Sequence, residues 1–104
     1  MEPSSEAFAY KILRPHEWRA FREAGVFVGS ADDLRDGFIH LSVRAQVEGT
    51  RAKYFANEPE IVILRVSTAA LGPDLRWEPS RGGALFPHLY RPLRLEEVEV
   101  CAAV

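Results

Sequence analysis

Apolar and mixed residues alternate from Phe8 to Leu13, with Phe8, Tyr10 and Ile12 on one side, which is the period of a strand. Arg14-Pro15 ends it. Pro15 suits the first position of a helix, where its missing N–H would be unpaired anyway. That helix is expected to run to Ala24, with Trp18 and Phe21 stacked at i, i+3 and Gly25 as its stop. Trp18 reads as a core anchor, and His16, opposite the apolar stripe, as solvated. Residues 26–28 predict a short extended piece, and residues 30–34 a capped turn of helix with its acidic residues near the N-terminus, where they are favoured. After a turn at Asp36-Gly37, residues 38–41 predict a second strand. Ser42 is then positioned to cap a helix whose Val43, Val47, Thr50 and Tyr54 share one face, closed by Asn57-Glu58-Pro59.

The β-branched run from Ile61 to Val66 has the look of a strand buried on both faces and so central to its sheet. Residues 68–72 predict one turn of helix with a glycine stop, and residues 74–78 a short strand. Residues 76–92 are interrupted by Pro79, Gly82, Gly83, Pro87 and Pro92, too broken for a helix or a long strand. They also hold Trp77, Phe86 and Tyr90, too aromatic for a solvated linker, so the expectation is a shaped loop held against the core. Residues 93–97 turn, and residues 98–102 form a last strand. The order predicts a mixed α+β domain, two main helices on a mostly antiparallel sheet.

Composition narrows the setting. A chain of 104 residues is one domain, residues 1–104, with residues 1–6 expected to fray. Net charge −2 and a pI near 5.9 give no electrostatic basis for wrapping a long nucleic acid, whereas a mononucleotide-sized ligand needs only a few local arginines. Cys101 is the one cysteine, so no intrachain disulfide forms, which favours a reducing compartment. The opening residues are acidic and polar, unlike a signal peptide, and no apolar run approaches the roughly 18 residues a membrane helix needs. The expectation is a cytoplasmic domain, its oligomeric state left open.

Candidate chemistry centres on two histidines. His40 and Ser42 lie on the same side of the chain where a strand passes into a helix, and the first amides of that helix favour anions. Together they predict a grip on a ribose hydroxyl or a phosphate, with Ser42 alternatively an N-cap alone and His40 alternatively a buried residue bonded to backbone. His88 sits among aromatics in Phe86-Pro87-His88-Leu89-Tyr90, and Glu78, Arg76, Arg81 and Arg91 lie in the same segment. No metal site is expected, since His40, His88 and Glu78 lack the close spacings of a two-histidine, one-carboxylate centre. Arg81-Gly82-Gly83-Ala84 lacks the lysine and helix of a phosphate loop. A serine-hydrolase elbow is absent, and Cys101 has no activating context.

Tyr10-Lys11-Ile12-Leu13, Trp18, the segment from Gly37 to Ser42, Leu75-Arg76-Trp77-Glu78 and the segment from Gly82 to Tyr90 together resemble a family of small bacterial proteins, domain of unknown function nine-fifty-two. The resemblance covers nearly the whole chain. It implies an ADP-ribosyltransferase-like fold, a split, curved, mostly antiparallel sheet with a nucleotide cleft. His40-Leu41-Ser42 is similar to the superfamily's first motif, with Leu41 in place of the usual glycine. The resemblance implies that His40 holds a ribose of the adenosine half of NAD, that Ser42 holds the nicotinamide ribose, and that Glu78 stands where the catalytic glutamate would be. RNA 2′-phosphotransferases have a similar His-Leu-Ser step, but their amino-terminal catalytic domain has no counterpart here, which argues against tRNA phosphate removal.

Three readings follow. In the first, the protein is an NAD- or ADP-ribose-dependent transferase or hydrolase, with Glu78 or His88 stabilising a ribosyl cation or activating an acceptor. Its ligand contacts come from His40, Ser42, Arg76 and Tyr90, and its partner is a small nucleotide rather than a long nucleic acid or a membrane. In the second, it is a non-catalytic nucleotide sensor. In the third, it is a partner-binding scaffold in which both motifs serve packing.

Overall fold

The structure, a computed structural model, describes residues 6–103; most of the stretch expected to fray, residues 1–5, lies outside them. Strand β1 (Phe8–Leu13) leads into helix α1 (Pro15–Ala24) with the expected boundaries, Glu17 accepting the Arg14 N–H at 2.8 Å. Trp18 meets Phe21 edge-on at 5.7 Å, but only Phe21 is fully buried, and Trp18 packs at the margin of the core. A short strand β2 (Val26–Phe27) precedes helix α2 (Ala31–Asp36), capped as predicted by Ser30. Beyond β3 (Ile39–His40), the helix read as starting at Val43 begins instead with a 3-10 turn, Arg44–Gln46. It becomes α-helical only in α3 (Val47–Tyr54). Gln46 Oε1 accepts the Val43 N–H at 2.9 Å, so the turn supplies its own cap. No residue of α3 is buried, and Tyr54 is 47% exposed; the shared apolar face does not seat on the core.

Strand β4 (Val62–Ser67) is central, as its composition predicts. It pairs antiparallel with β1 and with β8 (Val98–Ala103). Between Leu64↔Val100 and Ile63↔Ala102 the register slips by one residue, leaving Cys101 as a bulge on the outer strand. Ser67 caps the single turn α4 (Thr68–Leu71).

The segment read as a shaped loop is a hairpin. Strands β5 (Leu75–Ser80) and β6 (Ala84–Leu89) pair without a break from Leu75↔Leu89 to Ser80↔Ala84, and Gly82 and Gly83, both with positive φ, turn the corner. Its prolines are tolerated because of where their absent N–H groups would point. The Tyr90 N–H donates to the Asp74 carbonyl at 2.9 Å, so even-numbered residues of β6 bond toward β5 and odd-numbered ones toward β3. Pro79, opposite Leu85, therefore faces the open side of an edge strand. Pro87 faces β3: it accepts the Leu41 N–H at 3.0 Å but returns no donor, which stops the ladder and cuts β3 to two residues.

The molecule is thus α+β, with antiparallel sheets ordered β1-β4-β8 and β3-β6-β5 and a ribbon joining β2 to β7 (Leu93–Arg94). A bridge between Tyr10 and Ser42, with N···O distances of 2.7 and 2.9 Å, ties the two larger sheets together. Leu13, Phe21, Ile39, Leu64, Leu89 and Leu93 fill the core between them. Trp77, one of the aromatics expected to hold this segment against the core, is only half-buried: it shares a face of the edge strand β5 with Leu75, but only Leu75 packs against the core. No helix among the described residues is long and apolar enough to cross a membrane.

Candidate functional site

Cross-strand register sets one face of the β3-β6-β5 sheet. His40 stands opposite His88, Arg76 opposite His88 on the other flank, and Glu78 opposite Phe86. Since alternate residues point to opposite sides, Ile39, Leu41 and Leu89 turn into the core while the two histidines face away from it. Their ring centroids are 5.6 Å apart.

His88 is buried. Phe38 stacks on it at 4.0 Å, and its Nδ1 donates to Glu78 Oε1 at 2.8 Å. The Tyr90 hydroxyl donates to the same oxygen at 2.7 Å. These bonds, Tyr90 first and His88 second, hold the Glu78 carboxyl below its ordinary range against a smaller opposing effect of desolvation. The same bond raises the Tyr90 hydroxyl. Arg76 is exposed and lies over the Tyr90 ring at 4.7 Å. The expected residues Glu78, His88, Arg76 and Tyr90 thus form one cluster, in which His88 is covered.

His40 belongs to a second cluster built on residues that the sequence reading does not single out. Asp33, 2% exposed, receives the Lys11 ammonium at 2.9 and 3.2 Å, the His40 Nδ1–H at 2.6 Å and the His40 backbone N–H at 3.1 Å. It also accepts the Ser30 N–H at 2.9 Å. Burial by itself would raise the Asp33 carboxyl, but the His40 bond, the Lys11 charge and the Ser30 amide outweigh it and hold the group well below the usual carboxylate range. An ionised Asp33 can only accept, so the proton facing it sits on His40 Nδ1. His40 Nε2 lies 3.0 Å from Asp36 Oδ2 at the surface. Lys11 is itself buried inside an otherwise apolar strand, and a buried lysine requires a counter-charge. That was the available signal.

Beside His40 opens a cleft of about 150 Å³, bordered by β1, α2 and α3 and lined by Lys11, Arg14, Asp36, Ser42 and Thr50 among others. Ser42 lies in it, but not as a helix cap: its Oγ is 2.9 Å from Thr50 Oγ1, and its backbone is engaged by Tyr10. The predicted anion grip of Ser42 with helix amides is therefore not formed, because the chain continues extended through Val43 before any helical turn. Nor does one cleft gather His40, Ser42, Glu78 and His88. Glu78 and His88 do not line it, and Tyr90 borders a second groove of about 220 Å³ with Phe38, Leu34 and Val28. Among the described residues, no group of three histidine, cysteine, aspartate or glutamate side chains is arranged to hold a metal ion.

The chain matches the family model described as Protein of unknown function (DUF952) over residues 12–101. It is similar to the X-ray crystal structure of protein CC0527 from Caulobacter crescentus, a structural-genomics target, with 52% identity, 93% of this chain and 83% of that chain covered, and a TM-score of 0.85. The solution NMR structure of the same protein gives 52% identity, coverage of 93% and 82%, and a TM-score of 0.78. No curated protein matches.

Proposed function

We propose, from the premise that this chain belongs to the DUF952 family, that the cleft beside His40 binds a nucleotide of the NAD or ADP-ribose type. The observation that carries this reading is the fixation of His40. Asp33 holds both its ring and its backbone amide, while the ring borders a cleft that also presents the Ser42–Thr50 hydroxyl pair. A histidine oriented by a buried carboxylate beside two hydroxyls suits a ribose, whose hydroxyls both donate and accept. Arg14 and Arg35 line the cleft in ion pairs with Glu58 and with Asp32 and Asp36, and a diphosphate would take the place of those carboxylates. The two antiparallel sheets, bridged between Tyr10 and Ser42, support the finer reading of a split, ADP-ribosyltransferase-like sheet.

Binding without turnover is favoured over ADP-ribosyl transfer or hydrolysis by one further observation. Glu78 Oε1 already accepts from His88 and Tyr90, outside the cleft, and His88 lies beneath Phe38. In this reading the Glu78 cluster shapes the sheet face rather than meeting a reacting bond.

Calorimetric titration of NAD and of ADP-ribose tests the proposal. His40→Gln, which retains a donor toward Asp33, should weaken binding by about 1–3 kcal/mol, the usual cost of leaving a polar partner unpaired. Failure of both nucleotides to bind the wild type, or equal affinity in the variant, would overturn the reading.

A further inference from the structure

Helix α2 has no apolar face against the body. Of its six residues only Asp33 is buried, and Leu34, its one large apolar side chain, is 63% exposed. The ties that hold it to the sheets are polar: Asp33 to Lys11 of β1 and to His40 of β3, and Asp36 to His40 at the surface. By contrast, the Ser30–Asp33 capping bonds lie within the helical unit and would travel with it. Gly29 and Gly37 bracket the unit at φ 128° and 88°, conformations that other residues adopt only with strain. A six-residue helix between two glycines is thus clasped to the sheets chiefly by one buried carboxylate.

This helix also separates the two grooves. Leu34 borders one, beside Phe38 and Tyr90, whereas Asp32, Arg35 and Asp36 border the other, beside Ser42 and Thr50. Asp33 borders both.

We infer that α2 is a hinged partition clasped by Asp33, and that lifting it joins the two grooves into one trench for a ligand with two unlike parts. A flat apolar part lies on the Phe38–Tyr90 side and a hydroxyl-bearing part on the Ser42–Thr50 side. Identifying these parts with the base and the ribose of a nucleotide rests on the function proposed above. The partition itself rests on the packing of α2 alone.

One amide reports on the clasp. The His40 N–H belongs to β3 but donates to the Asp33 side chain at 3.1 Å, whereas its neighbour Leu41 donates to Pro87 within the sheet. Lifting α2 exposes the first and leaves the second. Residue-resolved hydrogen exchange on the wild-type protein should show the His40 amide exchanging at least about tenfold faster than that of Leu41, as expected of a sub-global opening. In Asp33→Asn the His40 rate should rise again while that of Leu41 holds. Equal rates for the two amides in the wild type would overturn the partition, whether or not the variant folds. Titration with ADP-ribose should then shift resonances of Leu34 and Tyr90 together with those of Ser42 and Thr50. Shifts on one side of α2 only would overturn the trench. A fast His40 amide with no shift anywhere would support the partition and count against the nucleotide.

Discussion

His40 and His88 stand directly opposite one another in the β3–β6 pairing, their rings 5.6 Å apart and crossed at 71°. Each is oriented from Nδ1 by a carboxylate contributed by a different part of the chain, Asp33 for His40 and Glu78 for His88. The resulting pair of carboxylate–histidine units shares Phe38, whose ring lies 4.6 Å from His40 and 4.0 Å from His88. Exposure then distinguishes them. His88 is covered and serves to position Glu78 and Tyr90, while His40 remains partly open beside the cleft.

Acid should destabilise the protein through Asp33. Its folded pKa lies below the unfolded value of about 3.9. Its stabilising contribution is therefore complete above roughly pH 4 and is lost as pH falls through the lower folded value. Glu78 and Glu97 are depressed as well and act in the same sense. Urea midpoints followed by circular dichroism should be flat near neutrality and fall steeply below about pH 4. Asp33→Asn should start lower at pH 7 and show a shallower acid limb. Parallel limbs in the two proteins would rule Asp33 out as the source.

Lys11 tests the same pair from the other end. Lys11→Met leaves a buried carboxylate without its ammonium, a change that typically costs about 3–5 kcal/mol. Adding Asp33→Asn removes the stranded charge, so the double variant should be less destabilised than the sum of the two single variants. Strict additivity in denaturant unfolding would show that the two groups do not depend on each other.

The parts of this fold that the sequence makes legible are those fixed by neighbours a few residues away. Helix α1 follows from Pro15 and Gly25, the α2 cap from Ser30, and the central strand from its β-branched run. The β5–β6 hairpin is hidden because the same prolines that forbid a central ladder are harmless at an open edge or a ladder end, and only the pairing shows which applies. The site divides in the same way. His40 and His88 are recognisable as polar residues in apolar runs, and Glu78 through the family resemblance. Asp33 is readable as part of a capping box but not as the partner of Lys11, 22 positions away. Ser42 is misread as a cap because Gln46, three residues beyond Val43, fills that role one position later.

The half-burial of Trp77 changes its expected weight. A buried tryptophan replaced by alanine costs about 3–5 kcal/mol, but Trp77 lies on the edge strand and outside the core. Leu89, fully buried at the centre of the second sheet, should lose about 2–5 kcal/mol on replacement by alanine. Chemical denaturation should rank Leu89→Ala as the more destabilising of the two. The reverse order would place Trp77 in the core after all.

Ser42 and Thr50 give the last test, because two roles for Ser42 predict different couplings. If Ser42 acts through the 2.9 Å hydroxyl pair, Ser42→Ala should cost about 0.5–1.5 kcal/mol, and the double variant with Thr50→Val should cost less than the sum of the singles. Either single variant already removes this bond and the double variant cannot remove it twice, so a coupling on the order of 1 kcal/mol is expected. If Ser42 were instead a helix cap, its loss would cost about 1 kcal/mol whatever residue stands at position 50. A thermodynamic cycle from urea unfolding of the four proteins therefore separates the two. Coupling places the serine in the wall of the cleft with Thr50, and strict additivity would return it to the helix terminus.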